Sequence, residues 1–114
     1  MHELGIAQSA LDLALDRARS EKASRILGLV IRVGALSGVD PEALEFAFTA
    51  ILPGTAAEGA AVKIEYLPVL LHCPGCGRDF TPSGALAFDC PSCGHGGATL
   101  KQGRELDLVR LEVT

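Results

Sequence analysis

Cys73-Pro74-Gly75-Cys76 and Cys90-Pro91-Ser92-Cys93 decide how this chain is built, because the segments on either side must be arranged around them. Each is a C-x2-C knuckle, a tight turn that aims two thiolates at one point. Two such turns facing each other complete a tetrahedron of sulfur ligands. Gly77 and Gly94 allow the backbone to double back behind each knuckle. Thirteen residues separate Cys76 from Cys90, slightly fewer than the roughly 15–20 usual in ribbons of this kind, which alters the size of the hairpin and not the ligand set. In a reducing compartment four cysteines grouped as two close pairs favour a metal over two disulfides. Zinc is the expected ion. With Cys73, Cys76, Cys90 and Cys93 filling all four positions it has no open site for water, so its role is structural and not hydrolytic. A redox dithiol or an iron–sulfur site is the rival on the same spacing. His72 and His95 flank the knuckles, either as solvated or supporting residues or as alternative ligands when a cysteine is released.

Outward from the knuckles, the segment from His72 to about Gly97 is rich in Gly, Pro and Ser and has too little periodicity to build a core of its own. Before it, Val62, Ile64, Tyr66, Pro68 and Leu70 alternate against Lys63 and Glu65, a strand in which Pro68 marks an edge position or an end. Another strand runs from Ile26 to Ala35, with Leu27, Leu29, Ile31, Val33 and Ala35 on one side and Arg32 on the other. After the knuckles, Glu105 to Val113 reads as a strand whose apolar phase shifts between Leu106/Leu108 and Val109/Leu111/Val113, so a bulge intervenes or its buried face is unclear.

Two helices complete the order. Residues 4 to about 22 carry Leu4, Ala7, Leu11, Ala14, Leu15 and Ala18 at helical spacing. Asp40-Pro41-Glu42 is a helix start: a carboxylate to cap free amides, a proline suited to the first turn, and a second acid at the positive end of the dipole. Leu44, Ala47, Phe48 and Ile51 form that helix's apolar stripe, and Pro53-Gly54 stops it. The expected fold is α+β: a three-stranded sheet with two helices on one face, plus an inserted four-cysteine zinc-ribbon lobe. Residues 1–71 and 98–114 would form the α+β domain and 72–97 the zinc-binding domain.

A chain of 114 residues with 48% apolar and 21% charged residues is about one domain and can bury a core. Its net charge of −4 argues against nucleic acid as a partner, since phosphate binding rests on clustered Lys and Arg. No apolar run reaches the roughly 20 residues that span a bilayer, and Glu3, Asp12 and Asp16 stand where a signal peptide would be basic and then apolar. The expectation is a cytoplasmic protein with neither membrane nor nucleic-acid partners. No serine, cysteine or carboxylate arrangement for catalysis is present, and Ser37 lacks an evident base; the chain reads as no enzyme.

Met1-His2-Glu3 is the other informative stretch. A free terminal amine, the His2 amide and a His2 ring nitrogen can close adjoining chelate rings around one cation, a planar nitrogen set suited to nickel(II) or copper(II). The amide must lose its proton, so binding weakens as pH falls. A histidine near a chain start is also common by chance, and Glu3 reads most simply as an acid at a helix beginning.

Met1-His2-Glu3-Leu4 followed by Ile6-Ala7-Gln8-Ser9, Val33-Gly34 and Asp40, the paired knuckles, and Gly103-Arg104-Glu105-Leu106 together closely resemble the HypA/HybF family of nickel chaperones for [NiFe]-hydrogenase maturation. The resemblance covers essentially the whole chain. It implies a nickel metallochaperone in which His2, with the amide of Glu3, holds nickel at the N-terminus of the α+β domain, while the four cysteines hold zinc. It further implies a HypB-type GTPase and the [NiFe]-hydrogenase large subunit as partners, with urease maturation proteins for some relatives. Asp40 matches a position near the nickel site, although its capping role suffices. A homodimer is compatible with the sequence. The rival reading is a zinc-stabilised interaction or regulatory module in which Met1-His2 is incidental.

Overall fold

Apolar side chains recur along β1 (Ile26–Gly34), which is the middle strand of a three-stranded sheet. The computed structural model describes residues 2–82 and 88–114. Met1, with its expected amine ligand, and positions 83–87 of the cysteine segment lie outside them. β1 pairs in parallel with β2 (Ala61–Leu67) and antiparallel with β6 (Leu106–Val113). A parallel pair needs a crossover, and α2 (Pro41–Ile51) supplies it. The register builds cross-strand rows on the core face: Val62–Leu29–Leu111 and Ile64–Ile31–Leu108. α1 (Glu3–Ser20) packs on these rows together with α2, burying Ala7, Leu11, Ala14 and Ala18 against Leu44, Ala47 and Phe48. The alanines of α1 let the layers approach closely. Leu4, expected on the same stripe, is exposed because it lies at the very start of the helix.

Two bulges explain where simple alternation fails. The register with β6 slips between Ile26 and Gly28, so Leu27 has no partner and turns outward, 49% exposed, while Ile26 enters the core at 1%. Leu27 was expected on the inner side with Leu29, and the bulge reverses it. The second slip, between Val30 and Ile31, leaves Val109 unpaired; Leu108, Leu111 and Val113 all reach the core despite their mixed phase, as the expected bulge requires. Arg32 points the other way and donates to Glu65 at 2.9 Å.

Pro68 ends the first sheet. Lacking an amide hydrogen it cannot extend the ladder, and Leu70, expected to continue the same strand, belongs instead to β3 (Leu70–His72) of a second sheet. β3 lies between β4 (Asp79–Phe80) and β5 (Thr99–Gln102), antiparallel to both, so the chain enters and leaves the cysteine lobe through paired strands. That sheet also draws on residues just outside 72–97. A radius of gyration of 17.6 Å, against about 13 Å for a sphere-like chain of this length, reflects the two lobes.

The chain passes between the lobes twice, from β2 to β3 and from β5 to β6, and both passages are tied to the end of β1 at Gly34. Its amide donates to the Glu105 carbonyl at 2.7 Å, and the next two amides, of Ala35 and Leu36, reach the carbonyls of Leu67 and Gly103 at 2.9 and 2.7 Å. The Gly103 amide, on a backbone with φ of 136°, donates to the Glu105 carboxylate at 2.8 Å.

Candidate metal centre

Both knuckles fold by the same local rule. In the first, the Gly77 amide donates to the Cys73 carbonyl at 2.8 Å and the Cys73 amide to the Arg78 carbonyl at 2.8 Å. The second repeats this with Gly94 to Cys90 at 2.8 Å and Cys90 to His95 at 3.0 Å. Each needs its glycine: Gly77 and Gly94 both have φ of 75°, the left-handed region where a side chain is strained. The first cysteine of each pair, Cys73 and Cys90, is buried, and the second, Cys76 and Cys93, is exposed.

The four sulfurs lie within 4.8 Å of one another. Cys73 to Cys93 is 3.5 Å and Cys76 to Cys90 is 3.7 Å, too long for disulfides at about 2.05 Å and close to the ~3.8 Å edge of a tetrahedron with zinc–sulfur bonds of ~2.3 Å. The electrostatics suit a cation. The Cys93 amide facing the Cys90 sulfur draws that thiol down to about 6. At Cys93 the His95 amide acts in the same direction, but the neighbouring Cys73 sulfur and burial outweigh it and push the thiol up to about 12. Four sulfurs so close do not all ionise together unless a positive ion joins them. The donor set therefore fits a thiolate-bound metal, with no fifth ligand among the described residues.

His72 has a partner of its own. Its Nδ1 is 2.7 Å from Asp79 Oδ1, while Lys101 Nζ donates to Asp79 Oδ2 at 2.7 Å, so one carboxylate joins β3, β4 and β5. Lys101, then His72, hold Asp79 below the usual carboxylate range. Asp79 and Lys101 were not singled out in the sequence; strands this short give no periodic signal. His95 lies against the first knuckle, its Cβ and Cγ 3.3 Å from where a Gly75 Cβ would stand.

His2 and Glu3 are not part of the sulfur cluster. His2 precedes α1, and its carbonyl accepts the first helical bond, from Ile6 at 3.1 Å. The amides of His2 and Glu3 therefore stand before the hydrogen-bonded ladder, and the His2 ring, exposed, makes no capping bond. Glu3 reaches across to the second helix, accepting from the Asp40 amide at 3.1 Å, and Asp40 caps α2 by accepting from Glu42 at 3.0 Å. Two helix N-termini thus meet beside His2. A tie between residues 37 apart leaves no trace in local sequence.

The Asp40 amide, then Glu3's own, lower the Glu3 pKa below its usual 4.5. A depressed carboxylate contributes its stabilisation above the ordinary value and loses it as pH falls through the folded value. Following the Glu3 side-chain carboxyl carbon by NMR is expected to give a titration midpoint below 4.5. A midpoint at or above that value would contradict the tie.

Comparison with known proteins agrees along the whole chain. A family model described as "Hydrogenase/urease nickel incorporation, metallochaperone, hypA" matches residues 1–113. The hydrogenase maturation factor HypA of a Picosynechococcus species is 43% identical over 113 residues, covering 99% of both chains. That of Chloroflexus aurantiacus is 40% identical over 112 residues, covering 98% of both. The solution structure of the Ni metallochaperone HypA from Helicobacter pylori superposes with a TM-score of 0.68 at 26% identity, covering 99% of this chain and 97% of that one. Another HypA solution structure gives 0.73 at 26% identity, covering 100% and 97%.

Proposed function

The chain belongs to the HypA family, and from that premise we propose that it is a nickel metallochaperone, binding Ni(II) at its N-terminus and delivering it for [NiFe]-hydrogenase maturation. The observation that carries this reading is the state of His2: an exposed ring without a capping bond, followed by amides that the helix does not use. The Met1 amine, the His2 amide and ring, and the Glu3 amide can surround nickel without unwinding α1. The positive ends of two helix dipoles favour amides that have given up their protons. Ligands at a chain end also exchange easily, as handing over requires.

In this reading Cys73, Cys76, Cys90 and Cys93 hold zinc, which supplies structure by closing the lobe. The protein works by binding and release and not by catalysis. Residues 1–71 and 98–114 act as the nickel-binding domain and 72–97 as the zinc-binding domain, with β3 and β5 carrying the zinc lobe's sheet across both boundaries. A HypB-type GTPase and the hydrogenase large subunit are the partners, with urease maturation proteins a second destination. The site of action is the cytoplasm; among the described residues no helix is long and apolar enough to cross a membrane.

The test is complementation. In a host lacking its own family member, this chain is expected to restore nickel incorporation into the hydrogenase large subunit, and His2→Ala is not. Failure of the native chain, or full restoration by the variant at equal expression, would contradict the reading.

A further inference from the structure

Beside His2, the two helices leave an apolar surface open. Phe46 is 75% exposed and Leu4 57%, and with Ala43, Ala47 and Ala50 they line a groove of about 390 Å³ that His2 and Glu3 also line. Phe46 is not needed for the core, to which α2 contributes the buried Leu44 and Phe48. Large aromatic side chains left this exposed mark interaction sites, where they act as anchors.

The charge around the groove specifies its occupant. Residues 2–16 contain Glu3, Asp12 and Asp16 and no Lys or Arg; residues 33–62 contain Asp40, Glu42, Glu45 and Glu58 and again none. Glu42 and Glu45 are exposed on the same helix as Phe46. The ten Lys and Arg all lie elsewhere, at Arg17 to Arg32 and from Lys63 onward. Two copies of so acidic a face would repel, and an anionic lipid surface would be excluded for the same reason.

We infer that the Phe46–Leu4 groove is the docking surface for a basic segment of a partner protein, carrying apolar anchors between Lys or Arg side chains. The apolar anchors fill the groove over Phe46, and the cations meet Glu42 and Glu45. Its placement next to His2 gives this docking a purpose under the nickel-delivery reading, on which that purpose rests. The partner is held where the metal would leave.

The test uses the zinc-loaded full chain and two labelled helical peptides, one of leucine and lysine at amphipathic spacing and one with glutamate in place of lysine, measured by fluorescence anisotropy at two salt concentrations. The native chain is expected to bind the lysine peptide, more weakly at high salt, and to ignore the glutamate peptide. Phe46→Ala should weaken binding about tenfold, as loss of an interface anchor does, and Glu45→Lys at least as much. Neither residue is a proposed metal ligand, so nickel binding stays as in the native chain. If nickel binding fails while peptide binding persists, the delivery reading falls and the docking surface stands. Equal binding by native and Phe46→Ala protein, or equal binding of both peptides, would overturn the inference. So would light scattering that finds the native chain dimeric and Phe46→Ala monomeric, because a second copy would then cover the groove.

Discussion

Cys73→Ser is expected to release zinc and unfold the cysteine lobe while the helices and the first sheet stay folded. The lobe's strands have three, two and four residues, and among its described residues the buried apolar side chains are Leu71, Cys73 and Cys90. Ordering the backbone costs about 1–2 kcal/mol per residue, far beyond what three buried side chains return at about 1.5–3 kcal/mol each. A closed thiolate site contributes roughly 10–16 kcal/mol on binding zinc. Cys73 is the most buried of the four cysteines, at 0% exposure, so serine there removes a proposed thiolate ligand and leaves a poorly matched hydroxyl. Metal analysis should fall from one zinc per chain to well below it. Amide signals from Leu70 to Gln102 should lose dispersion, and those of α1, β1, α2, β2 and β6 should keep theirs. Full zinc content or a dispersed lobe spectrum in the variant would contradict the metal's structural role.

Gly34→Ala is expected to be nearly as severe, for a steric reason. A Cβ on Gly34 would stand 2.2 Å from the carbonyl carbon and oxygen of Gly103 and 2.6 Å from the Arg104 nitrogen. All three are backbone atoms, so no flexible side chain can give way. The hydrogen bonds of Gly34, Ala35 and Leu36 to Glu105, Leu67 and Gly103 hold the same strands together, and on the far side Val69 Cα lies 3.3 Å from where a Gly103 Cβ would be. Relief requires moving β6 away from β1, at a cost of about 3 kcal/mol or more, which lowers the thermal midpoint by roughly 10–20 °C. Gly54→Ala is the control. Gly54, unlike Gly34, has a positive φ, 81°, but nothing lies within 4 Å of its missing Cβ, so only the conformational cost of about 1 kcal/mol applies. Equal midpoints for the two variants would contradict the account of the junction.

How much of this was legible in the sequence depends on the range of the interactions. The helix start at Asp40 was readable because cap, proline and acid act within three residues, and the Asp40–Glu42 bond is there. The α+β order follows from apolar periods, and the phase break in β6 leaves a bulge or an unclear buried face as alternatives, of which the structure shows the bulge, at Val109. Alternation alone puts Leu27 inside with Leu29, because the bulge at Leu27 lies in β1, where apolar residues on both faces hide a slip of one position. Alternation carries the expected strand on to Leu70, past its true end at Leu67, because the apolar period persists across Pro68 although the missing amide ends the ladder. That the four cysteines converge was legible in their spacing, but the buried and exposed members of each pair were not. The Glu3–Asp40 tie and the Asp79 link depend on which elements become neighbours, which local pattern does not encode.

The most direct measurement is a calorimetric nickel titration of tag-free, zinc-loaded protein beside its His2→Ala variant, with zinc content followed throughout. The account predicts about one nickel bound by the native chain, with protons released as amide nitrogens become ligands, and loss of that binding in the variant while both keep their zinc. Equal nickel binding by the two proteins, or none by either, would contradict it.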